Sequence, residues 1–99
     1  MNIQEMESRA GRVSELMKSL SNKVRLMTLC QLVEGEKSVS ELAQALGLPQ
    51  PSMSQQLALL RRDGMVQTRR AGQSVYYVLP PGDVRKLVNF LYRTFCGTA

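Results

Sequence analysis

A chain of 99 residues is about the length of one domain, and 43% hydrophobic with 21% charged residues is an ordinary composition for a folded protein. It contains no histidine, which removes the commonest general base and the commonest metal ligand. Its two cysteines, 66 positions apart, form no Cys-x-x-Cys pair and are too few to hold zinc alone, so no catalytic residue, metal or cofactor is expected. Thirteen Lys and Arg against eight Asp and Glu leave +5, which points to a polyanionic partner, nucleic acid before membrane. No apolar run approaches the ~18 residues of a membrane span. Met1 to Arg12 is polar and mixed in charge, unlike a secretory signal, so the expected compartment is the reducing cytoplasm, where thiols stay free by default.

With no repeat or linker, residues 1–99 read as one domain. Met6, Ala10, Val13, Met17 and Leu20 recur at spacings of 4, 3, 4 and 3, a heptad seam that Leu16 widens. So short a chain has few helices to cover such a seam, which favours a homodimer. Ser21 or Asn22 caps a second helix bearing Val24, Met27, Leu29, Cys30, Leu32 and Val33, ended by Gly35. A third, short helix starts at Ser40 with Leu42, Ala43 and Leu46 inward, and Gly47 stops it. Pro49 and Pro51 fit the first turn of a fourth helix, which runs to about Arg62 and closes at Gly64.

Met65 to Arg70 and Ser74 to Leu79 then alternate as two strands of a hairpin about Ala71-Gly72-Gln73. Pro80-Pro81-Gly82 breaks the second strand. A fifth helix from about Asp83 to Cys96 carries Val84, Leu87, Val88, Leu91 and Phe95 on one stripe, broadened by Phe90 and Tyr92. Four helices, a β-hairpin and a fifth helix make a mainly α winged helix-turn-helix, α-α-α-α-β-β-α. The terminal helices are the dimerisation elements, through Met6, Val13, Met17, Val84, Leu91 and Phe95.

On the fourth helix Met53, Leu57 and Leu60 fall together and face the core. The opposite arc carries Pro51, Ser52, Gln55, Ala58, Leu59 and Arg62, with Gln50 and Gln56 at its edges and Ser54 nearby, and no acid before Asp63. Amides and hydroxyls are groups that read base edges. Arg69 and Arg70 flank the hairpin tip with Gln73, and adjacent strand residues point to opposite faces, so at least one of the two arginines is expected at a phosphate or in the minor groove. From Leu48 to Leu79 there are four arginines and one acid, so the basic excess gathers where a helix-plus-wing reader of double-stranded DNA needs it.

Leu20-Ser21-Asn22-Lys23-Val24-Arg25-Leu26, Ser38-Val39-Ser40-Glu41-Leu42-Ala43, Ser52-Met53-Ser54-Gln55-Gln56-Leu57 and Arg61-Arg62-Asp63-Gly64-Met65-Val66 resemble the ArsR/SmtB winged-helix repressors over nearly the whole chain. The resemblance implies homodimers that leave an inverted-repeat operator when an inducer binds. The Cys-x-Cys on the third helix and the His ligands on the last helix of many metal sensors are missing here, and Gln56 stands where many members have His. Cys30 and Cys96, with Arg25-Leu26-Met27, Leu32-Val33-Glu34-Gly35-Glu36 and Leu91-Tyr92-Arg93-Thr94-Phe95-Cys96, resemble instead the BigR/SqrR type, whose pattern the HlyU type shares. That type implies dithiol sensing of sulfane-sulfur donors, persulfide and polysulfide. Taken alone, Cys30 also reads as a small core residue and Cys96 as a frayed-end thiol. Arg25 and Arg93, each about a turn from a cysteine, are candidates to lower a thiol pKa.

Overall fold

The computed structural model describes residues 1–97. Five helices, α1 (Ile3–Leu20), α2 (Lys23–Val33), α3 (Val39–Leu46), α4 (Gln50–Arg62) and α5 (Asp83–Cys96), accompany a three-stranded antiparallel sheet. Its strands are β1 (Lys37–Ser38), β2 (Gln67–Ala71) and β3 (Ser74–Val78), in spatial order β1-β3-β2. The expected helices and hairpin are therefore present, but the expected order of strands was one short. β1 pairs with β3 through Lys37↔Tyr77 and Ser38↔Tyr76. A two-residue strand is too short to alternate, so no periodicity announces it.

Local chemistry sets the helix ends. Asn22, rather than Ser21, caps α2, its side chain accepting from the Arg25 N–H at 3.1 Å. α2 stops at Val33, two residues before Gly35. α3 begins at Val39, not Ser40, because Ser38 and Glu41 form a capping box: the Glu41 N–H donates to the Ser38 hydroxyl at 3.2 Å, and the Ser38 N–H donates to the Glu41 carboxylate at 2.9 Å. Gly47 has φ 66, a left-handed conformation that lets the Leu48 N–H turn back to the Ala43 carbonyl at 2.9 Å and closes α3. Gly64, φ 74, does the same for α4, where the Met65 N–H donates to the Leu60 carbonyl at 2.9 Å. Pro49 stands at the cap of α4 and Pro51 inside its first turn. Met65 and Val66 are buried core residues ahead of β2 rather than its first members.

The core is Leu29 and Leu32 from α2, Leu42 and Ala43 from α3, and Met53, Leu57 and Leu60 from α4, closed by Val66, Leu79 and Val88. α1 joins it only at its C-terminal end, through Leu16 and Leu20. Ahead of Leu16 the helix stands in solvent, with Arg12 bonded to Asp83 of α5 at 2.8 Å. The radius of gyration, 14.6 Å, accordingly exceeds the ~13 Å of a compact chain of this length. No helix of the described residues is long and apolar enough to cross a membrane.

The expected dimer residues divide. Met6, Val13 and Met17 are exposed and Leu91 is half-buried, while Phe95 leaves 79% of its surface in solvent. Val84 departs from the expectation. It is only 8% exposed because it faces the protomer's own core beside Val88, so it has little surface left for a partner.

Candidate nucleic-acid interface and thiol pair

The turn Gly47-Leu48-Pro49 sets α4 against α3, and Met53, Leu57 and Leu60 anchor the inner face of α4 with no exposure at all. With that face fixed, Gln50, Pro51, Ser52, Ser54, Gln55, Ala58, Arg61 and Arg62 are exposed. Gln50 is not a free amide: its Nε2 donates to the Ser40 hydroxyl of α3 at 2.7 Å, which holds the first residue of α4 in one orientation. Gln56 turns partly inward. Its Oε1 is buried without a hydrogen-bond partner, so its carbonyl oxygen does not belong to the outer face. Arg62 pairs with Asp63 at 3.2 Å.

The wing strands pair Gln67↔Val78 through Ala71↔Ser74, leaving Gly72-Gln73 as a two-residue tip, with φ 63 at Gly72. Gln73 and Arg70 are exposed, and among the described residues Arg70 has no salt bridge. Arg69 is differently placed. Its Nε donates to Glu36 at 2.8 Å, its Nη2 bonds the same carboxylate, and its guanidinium carbon lies 5.2 Å from the centre of the Tyr76 ring. That hydrogen bond holds the Glu36 carboxyl below its ordinary range. The two arginines are thus inequivalent, one free at the tip and one tethered to the segment that follows α2.

α2 packs along α5, and this contact brings the cysteines, distant in sequence, near each other. Both are free thiols: Cys30 is half-buried against the core and Cys96 is exposed on the last residue of α5. Burial pushes the Cys30 thiol above its ordinary pKa, and a thiolate at Cys96 pushes it further in the same direction. The Arg25 candidate for lowering Cys30 is therefore not supported. Its Nε donates to the Ser19 carbonyl at 2.9 Å, at the α1–α2 corner. Among the described residues no group of three or more His, Cys, Asp or Glu side chains could hold a metal ion. A cleft of about 640 Å³ between α1 and the end of α4 is lined by Arg12, Lys18, Arg25 and Arg62, but two of these cations are already paired, with Asp83 and Asp63.

Sequence reasoning missed the contacts of Glu36, Ser40, Tyr76 and Arg85, which bond or pack onto the reading elements or their bases. Of the unforeseen contacts only the Ser38-x-x-Glu41 box had a local signal, since Ser-x-x-Glu before an apolar run marks a helix start. The Glu36–Arg69 pair spans 33 positions and carries no such mark.

The model of the bacterial regulatory protein arsR family matches residues 22–68, from the cap of α2 into β2. The chain is 50% identical over 97 residues to the biofilm growth-associated repressor of Xylella fastidiosa, covering 98% of this chain and 85% of that one. It is 44% identical over 96 residues to the transcriptional activator HlyU of Vibrio cholerae, covering 97% and 89%. The crystal structure of the transcriptional repressor BigR from Xylella fastidiosa superposes with a TM-score of 0.89 at 49% identity, over 99% of this chain and 100% of that one. The reading helix, the wing and these likenesses agree, and the chain belongs to the arsR family of DNA-binding, winged helix-turn-helix transcriptional regulators.

Proposed function

We propose that this chain is a homodimeric, sequence-specific repressor that sits on an inverted-repeat operator in the cytoplasm and is released when reactive sulfur links Cys30 to Cys96. The observation that carries the reading is that a half-buried free thiol on α2 and an exposed free thiol on α5 sit on two helices packed against each other. The exposed apolar residues of α1 and α5 supply the dimer surface. Ser52, Ser54, Gln55 and Arg62 read or approach DNA from α4, and Arg70 and Gln73 from the wing. Gln50 contributes from a fixed position, and Arg69 and Gln56 contribute less freely.

The chemistry starts at the accessible sulfur. The Cys96 thiolate attacks a sulfane sulfur of a polysulfide and becomes Cys96–S–SH, while the shortened polysulfide leaves with the bond's electron pair. The Cys30 thiolate then attacks the Sγ of Cys96, forming the Cys30–Cys96 disulfide and expelling the outer sulfur as hydrosulfide. When Cys30 has itself gained a sulfur, its terminal sulfur makes the same attack and leaves a trisulfide. A direct disulfide needs Cα atoms roughly 4.4–6.8 Å apart, and each added sulfur extends the reach by about 2 Å. A pair held slightly wider than the disulfide range would therefore favour sulfur donors over simple oxidants.

DNA-binding anisotropy with the chain's own upstream duplex tests the reading. Inorganic polysulfide releases wild type, reductant restores it, and Cys30→Ser and Cys96→Ser each stay bound. Release of Cys96→Ser would sink the crosslink and leave modification of Cys30 alone. Zinc, arsenite and cadmium are expected to be poor inducers, since two thiols make a thin coordination shell. The raised Cys30 pKa favours a second reading, a DNA-binding dimer with unreactive cysteines, and failure of wild type to release under polysulfide would establish it.

A further inference from the structure

Residues 33–38 leave α2 and become β1, and they are fastened on two sides. On one side stands Arg85, in the first turn of α5. Its Nη1 donates to the Val33 carbonyl at 3.3 Å and its Nη2 to the Leu79 carbonyl at 2.5 Å. Val33 is the last residue of α2, and Leu79 follows the last residue of β3. α2 has no basic residue in its own last turn, where unpaired carbonyls attract a cation, so α5 supplies one. On the other side stands the wing. Glu36 binds Arg69, Arg69 lies over Tyr76, and β1 pairs with β3 at Tyr76 and Tyr77. One guanidinium therefore joins the helix of Cys30, the helix of Cys96 and the strand that leaves the wing.

We propose that Arg85 is a positioning residue that couples the α2–α5 contact to the wing, making the wing the part of the reading surface that a shift between these helices displaces. Both bonds of the fork are made only while α5, the end of α2 and the exit of β3 keep one arrangement, because hydrogen bonds weaken steeply with distance and angle. A shift of α5 along α2 costs one of them and frees the base of the hairpin. Arg70 and Gln73, at the hairpin's far end, then lose their register on DNA. Lysine cannot replace this fork, since a compact ammonium does not span two carbonyls as a planar guanidinium does. The trigger rests on the thiol reading above; the wiring rests on the bonds of Arg85 and Glu36.

The test uses full-length wild type, Arg85→Met and Arg85→Lys, inorganic tetrasulfide as the sulfur donor, and a labelled upstream duplex. Mass spectrometry scores the Cys30–Cys96 link, and amide hydrogen exchange follows residues 67–78. Linking wild type is expected to speed exchange across the wing and weaken DNA binding roughly 5–150-fold, whereas linked Arg85→Met changes by less than about threefold. Arg85→Lys, which keeps the charge but not the fork, is expected to lack the response as Arg85→Met does. Equal release of linked wild type and linked Arg85→Met overturns the coupling while leaving the thiol reading intact. If wild type does not link, or stays bound once linked, the thiol reading fails and takes this proposal with it. Should Arg85→Met not fold, the wild-type exchange decides: an unchanged wing after linking overturns the proposal.

Discussion

The helix-turn-helix pair and the two terminal helices use apolar residues in opposite ways. In α3 and α4, Leu42, Met53, Leu57 and Leu60 are all fully enclosed, and the outer face is left to amides, hydroxyls and arginines. In α1 and α5 the large apolar residues Met6, Val13, Met17, Phe90, Tyr92 and Phe95 face solvent. The reading module is complete within one protomer, while the terminal helices are complete only when something covers them. Specificity and assembly are thus assigned to different surfaces, and each can be damaged alone.

The sharpest way to break that division is to charge the terminal surface. Met17→Glu with Phe95→Glu is expected to give monomers by sedimentation velocity. Their operator affinity should fall about 10²–10⁴-fold, because the second half-site loses its effective concentration, while the helical content is kept. Leu57→Ala attacks the other region and should lower unfolding free energy by about 2–5 kcal/mol in urea titrations, since the fully enclosed side chain leaves a cavity.

Within the reading surface, Arg70→Ala is expected to weaken binding on all sequences and reduce the salt slope by about one. Arg69→Ala should cost less, because Arg69 must first leave Glu36 to reach a phosphate. Gln55→Ala should instead lose discrimination, by about 1–3 kcal/mol, with little change on random DNA. Equal effects of the two arginine variants would erase the distinction drawn between them.

The smallest effect concerns acid. Glu36 has a folded pKa below its unfolded one, so whatever stability it lends is present above the unfolded value and is lost as pH falls through the folded value. An NMR titration should show the Glu36 carboxyl titrating below the ordinary glutamate range, with the Arg69 resonances moving in step.

The sequence carried the reading module well because its signals are local. Gly47 and Gly64 mark helix ends, Pro51 marks a beginning, and Met53, Leu57 and Leu60 lie on one face by periodicity alone. The alternation of Met65–Arg70 and Ser74–Leu79 made the hairpin equally plain, although its strands are Gln67–Ala71 and Ser74–Val78. Periodicity could not tell which partner a stripe meets, so Val84 was grouped with Phe95 although one is enclosed and the other bare. β1 and the Glu36 and Arg85 bonds escaped for a related reason. They depend on tertiary approach between segments whose separation leaves no mark on either.

Thr28, the buried polar residue of α2, spends its hydroxyl inside its own helix, on the Val24 carbonyl at 2.7 Å. Among the described residues no side-chain hydrogen bond ties the body of α2 to α5; the directional link is Arg85 at the Val33 end. Apolar packing tolerates small sliding between helices, whereas a forked hydrogen bond does not. α5 is therefore a lever resting on a greased bearing and pinned near one end. Cys96 lies eleven positions beyond the pin, about 17 Å of helix. A displacement of the free end therefore bears on the fork at Arg85, where one bond must give, and one of the two bonds holds the exit of β3.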